Sequence, residues 1–135
     1  MASDGFNYPP GEALHDQQGC SGWAEPWHVQ GLSAQIPGYQ TAPGSLAFAD
    51  LQTSGGQASG GREYLTAGRR LNASPDGPFA DYIDDYSDGI GSKKGGALWM
   101  SALLRKDQNN NQSIFAGLHS DNISWCNNCT QRRVE

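Results

Sequence analysis

A chain of 135 residues with a formal net charge of −5 fits one domain, spanning 1–135, able to bury roughly two thirds of its unfolded surface. Hydrophobic residues reach 36%, against 18 Gly and 7 Pro, a mix that suits many short strands joined by tight turns. The acidic balance argues against nucleic acid, because the basic stretches GRR (68–70), RK (105–106) and QRR (131–133) are too short for a phosphate-binding footprint; no apolar run reaches the roughly 18–20 residues of a membrane span.

The opening MASDGFNYPP has no basic flank followed by an apolar stretch, so it is expected to be a mature start. Three cysteines, four N-x-S/T sequons (Asn72, Asn111, Asn122, Asn128) and much Asn, Gly and Ser lean toward an extracellular or secreted protein. Across the first forty residues Phe6, Tyr8, Trp23, Trp27 and Tyr39 alternate with Pro9, Pro10, Pro26 and Pro37, and prolines at that density exclude a long helix. GSLAFADLQ (44–52) puts Leu46 and Phe48 on one face of an expected short strand. TSGGQASGGRE (53–63) reads as a flexible loop or bulged edge.

ALWMSALLRK (97–106) is the strongest candidate for a buried segment. Its residues favour helix, yet Leu98, Met100, Ala102 and Leu104 also fall on one strand face with Trp99 and Leu103 opposite, and periodicity alone does not decide. The flanking Gly-Gly and DQNNNQ favour a strand. SIFAGLHS (113–120) repeats the pattern, and the two segments make an expected antiparallel hairpin.

The stretch FNYPPGEALHDQQGCSGWAEPW resembles the start of a bacterial extracellular domain, with Phe6, Asn7, Tyr8, Gly11, Leu14, Gln18, Gly19, Gly22, Trp23 and Trp27 in matching positions. GSLAFADLQTSGG, GRRL and LWMSALLR resemble the strands that follow in that family, the concanavalin A-like lectins and glucanases of the laminin G-like type. The resemblance covers about residues 6–120 and implies an all-β, antiparallel jelly-roll-like β-sandwich. Two departures stand out. Cys20 occupies a position that the pattern gives to Gly, so a glycine-only backbone is not expected there. The chain also stops where further strands would follow, which implies an incomplete sandwich that another chain can complete through its open edges.

Candidate sites are few. Asp81, Asp84, Asp85 and Asp88 in DYIDDYSDG supply closely spaced carboxylates that suit calcium, although the spacing is not an EF-hand and a solvated acidic loop is the more ordinary explanation. Glycosidase chemistry needs two facing carboxylates, and Glu12, Glu25, Glu63 and Glu135 are isolated. No G-x-S-x-G elbow accompanies His15, His28 and His119, so no enzyme is expected. An enzymatic reading survives only where a partner chain supplies the missing half of a site.

Aromatic faces stack on sugar rings and anchor protein interfaces. Trp23, Trp27 and Trp99 are expected in the core, whereas Tyr82, Tyr86 and Trp125 are the candidate ligand-binding residues. Cys126 and Cys129 form a C-x-x-C without the strand–helix setting of a redox pair. With Cys20 and one His they could hold zinc. A disulfide from Cys20 to either one is favoured; it closes a loop of about a hundred residues and stabilises by about 3–5 kcal/mol. The spare thiol is then available to a second chain. Two functions follow as expectations: a lectin-like, non-catalytic module for carbohydrate or another cell-surface ligand, or a structural protein that self-assembles into a homo-oligomer through strand edges and disulfides.

Overall fold

A computed structural model describes residues 1–30, 38–60, 65–82, 97–107 and 116–118. Among them the fold is all-β, with no α-helix. The four strands are β1 (His28–Gln30), β2 (Tyr39–Ala42), β3 (Gln57–Gly60) and β4 (Thr66–Gly68), followed by one 3-10 turn at Ala80–Tyr82. β1 pairs antiparallel with β4, aligning Val29 with Ala67, and β2 pairs antiparallel with β3, aligning Thr41 with Ala58. No helix among the described residues is long and apolar enough to cross a membrane.

The N-terminal seventeen residues lace these two ribbons together. Residues 11–14 run along β2 opposite β3: Gly11 and Leu14 donate to the carbonyls of Thr41 and Tyr39, and Thr41 donates back to Glu12. Residues 15–17 then turn toward β1, where Asp16 donates to Trp27, Trp27 donates to Gln17, and the Val29 amide donates to His15 Nδ1. Upstream, Ser3 bridges Ser21, and Gly56 donates to Gly5. The β1–β4 pairing continues past its ends through the Trp23–Leu71 bridge, with Ala24 donating to Arg70 and Asn72 donating to Gly22.

What this lacing buries is small. Leu14, Val29 and Phe79 are the buried hydrophobic side chains among the described residues. Thr41 is buried as well, its hydroxyl directed at the Pro9 and Glu12 carbonyls, so a polar group inside costs little. The turn that starts the lacing is Pro9–Glu12. Pro10 presets φ at its second position and Gly11 takes φ 86° at its third, the arrangement of a type II turn.

Several sequence expectations are corrected. Residues 44–52 form no strand: the segment is irregular with a turn at 49–50, and Phe48 is 68% exposed. The strand lies instead in the Gly-rich stretch, expected to be a flexible loop or a bulged edge, as β3. The cause is close backbone approach. A Cβ on Gly55 would meet the Gly5 carbonyl, and one on Gly56 the Phe6 and Ala42 carbonyls, so only glycine lets the N-terminal segment lie against this edge.

Residues 97–107 are irregular and largely exposed, and Trp99, expected in the core, is 93% exposed. Of the segment expected to pair with them, only 116–118 lies within the described residues, where it too is irregular. Cys20 adopts φ 64°, a left-handed backbone that favours Gly but admits a side chain, so the position is not restricted to glycine.

Two substitutions test this backbone account. Cys20→Gly should raise stability by about 0.5–1 kcal/mol in urea unfolding, since the left-handed cost of a side chain exceeds the added chain entropy of glycine. Gly56→Ala should lower it by about 1–3 kcal/mol, because backbone carbonyls on two sides leave the methyl no room. A neutral Gly56→Ala would mean that the N-terminal segment does not lie against β3.

Candidate functional site

The densest constellation of polar side chains is built on Asp4. Its side chain is 5% exposed and that of Arg69 is 2% exposed, and Arg69 NH1 stands 2.8 Å from Asp4 Oδ2. The same oxygen accepts the Tyr8 hydroxyl at 2.7 Å and the Trp27 indole N–H at 2.7 Å. The other oxygen accepts the Phe6 amide at 2.8 Å and, more weakly, the Cys20 thiol at 3.5 Å. Arg69 is equally well held. Its NH1 also donates to the Gly19 carbonyl, its Nε donates to the Glu25 carbonyl, and its guanidinium lies over the rings of Trp23 and Trp27, 5.2 and 5.8 Å from the centroids. Phe6 stacks on Trp27 at 5.5 Å and closes the aromatic wall.

Strand alternation explains why Arg69 is inside and its neighbour is not. Successive side chains of an extended segment point to opposite faces. Arg69 turns inward beneath the two tryptophans, while Arg70 meets Glu25 at 3.3 Å with both side chains half open to water.

The electrostatics follow from these contacts. Burial pushes the Asp4 carboxyl up, but hydrogen bonds from Tyr8, Phe6, Trp27 and Arg69 outweigh it and hold the carboxyl below its ordinary value. Burial, with the Asp4 hydrogen bond and charge, pushes the Tyr8 phenol well above its ordinary range. Every strong donor and acceptor here is engaged within the chain. An ionised carboxylate with this many donors is a poor proton acceptor, so the cluster is a structural anchor and not a general base.

A second polar pair lies nearby. His15 and His28 meet edge to face at 5.1 Å, and because His15 Nδ1 accepts from Val29, its proton is on Nε2, 3.5 Å from Asp16. Both histidines are thus engaged in contacts within the chain.

Of the residues singled out from the sequence, Tyr82 ends the 3-10 turn, half-buried with its ring edge-on to Phe79 at 6.3 Å. Asp81 is exposed beside it. Cys20 is exposed with a free thiol at the rim of the Asp4 cluster. Trp23 and Trp27 are half-buried against Arg69, close to the packing role expected of them. Tyr86, Asp84, Asp85, Asp88, Trp125, Cys126 and Cys129 lie outside the described residues. Asp4 and Arg69 were missed by sequence reasoning, and the signal that could have found Arg69 is the RR pair on an extended segment, which must turn one guanidinium inward.

Asp4→Asn keeps the shape but leaves the Arg69 charge buried without its counter-ion, and should cost about 3–5 kcal/mol in chemical denaturation. The sign of the pH effect follows from the lowered folded-state value. Stability from Asp4 is complete above the unfolded carboxylate value of about 4 and is lost as pH falls from there through the folded value. Acid titration of stability should therefore steepen below about pH 4 in the native chain and flatten in Asp4→Asn; parallel profiles would show that Asp4 is not ionised in the fold.

No protein-family model, curated protein or solved structure matches this chain.

Proposed function

We propose that the chain is a non-catalytic, lectin-like extracellular module that binds carbohydrate or another cell-surface ligand. The observation that carries this reading is the division between its polar and aromatic groups. The buried charges are consumed in holding the fold, while the Trp99 indole is 93% exposed beside Met100 and Leu104. An exposed indole face is the surface that stacks on a pyranose ring. The resemblance to concanavalin A-like lectins and the all-β architecture support the reading, and a jelly-roll sandwich is the larger fold it implies. Calcium is the cofactor it allows, at Asp81 with Asp84, Asp85 and Asp88.

The second reading, a structural protein assembling through strand edges, is favoured by a different observation. Among the described residues, β4 has one strand neighbour, β1, and an unpaired edge accepts a strand from another chain. Cys20, exposed and free, is placed to take part in a covalent link between chains.

Retention on a panel of immobilised polysaccharides and glycans, with calcium and with chelator, separates these readings. The binding module should be retained by at least one glycan, and Trp99→Ala should weaken retention about tenfold without changing the unfolding midpoint. Absence of retention from every glycan under both conditions overturns it. Large particles in light scattering that shrink under reductant would then favour assembly.

A further inference from the structure

Residues 1–8 behave as a peptide docked on the rest of the chain. Asp4 enters the slot between Trp23, Trp27 and Arg69, and Phe6 stacks on Trp27. The Trp23 indole donates to the Ser3 carbonyl at 2.9 Å, the Ser3 amide to the Ser21 carbonyl at 3.1 Å, and the Gly56 amide to the Gly5 carbonyl at 2.7 Å. Each contact joins this arm to residues at least sixteen positions away, and Arg69 is 65 positions from Asp4. The covalent tie between arm and slot is one short turn, Pro9–Glu12, closed by a long 3.4 Å hydrogen bond and dependent on Gly11 at φ 86°.

We propose that the slot is an interchain binding site for the N-terminal arm of a second copy, so that two chains exchange residues 1–8 reciprocally. The recognised chemistry is an acidic, aromatic peptide, Ser-Asp-Gly-Phe-Asn-Tyr, read by a buried guanidinium between two indoles. All arm–slot contacts are the same in the closed and exchanged forms, including the left-handed backbone of Phe6 at φ 52°. They cancel in the balance, which leaves the linker and the entropy of association to decide. The linker allows opening at little cost: the φ that Pro10 holds in the turn also suits an extended path, and only Gly11, which adopts either sign of φ, has to change. This inference stands apart from the glycan-binding reading, because the slot and Trp99 are different surfaces.

The test uses full-length chains. Asp4→Arg alone sets two guanidinium groups against each other, and Arg69→Asp alone sets two carboxylates. Mixed, they form a heterodimer in which the native arm of the second enters the native slot of the first. Native mass spectrometry should show a one-to-one heterodimer in the mixture that neither variant forms alone.

A second measurement does not depend on those variants folding. Ser3→Cys with Ser21→Cys, in a chain whose native cysteines are replaced by Ser, is oxidised at on the order of 1 mM, the effective concentration of a short linker. Exchange gives a covalent dimer on a non-reducing gel, and Gly11→Ala should raise its share about fivefold by penalising the closed turn. Monomer alone, bridged within the chain at every concentration and unchanged by Gly11→Ala, overturns the proposal.

Discussion

The fold depends on one buried ion pair. Removing a carboxylate and a guanidinium from water costs several kcal/mol per ion, and their attraction repays this only when the remaining lone pairs and protons are also satisfied. Asp4 and Arg69 meet that condition through Tyr8, Trp27, Phe6, Gly19 and Glu25. The pair adds little to net stability compared with an apolar replacement. Losing either partner would leave the other buried without a counter-ion, so residue 4 stays docked on residue 69.

That constraint explains why so short a set of strands holds together. Three- and four-residue strands in two separate ribbons bury too little apolar surface to be stable alone. The segment 3–17 makes them one structure, because its ends are fixed at opposite places. Residues 3–8 are anchored by Arg69 and the tryptophans, residues 11–14 by β2, and residues 16–17 by Trp27. The small core of Leu14, Val29 and Phe79 forms alongside this lacing, and Leu14 sits at the junction where the segment leaves one ribbon for the other.

Part of this was legible in the sequence, for physical reasons. Gly and Pro density gave short strands and excluded helix, because φ at these residues is a local property. Local readings failed wherever the deciding contact was distant. GRR read as a minor basic stretch because nothing near it names Asp4, 65 positions away. Leu46 and Phe48 alternate as a strand should, yet the strand forms at 57–60, just after Gly55 and Gly56, which admit the backbone of residues 5 and 6. ALWMSALLRK read as core because its composition is apolar, but composition does not say whether a partner surface exists, and Trp99 stands in water.

The residues that carry the lectin-like resemblance gain a physical reading from the same centre. Phe6, Tyr8, Gly19, Trp23 and Trp27 all touch Asp4, Arg69 or each other, and Gly11 makes the turn that returns the chain to β2. A spaced pattern of aromatics and glycines of this kind describes how an arm is held. The work of this pattern is thus to anchor the fold, and the exposed apolar side chains of Trp99, Met100 and Leu104 lie outside that anchor.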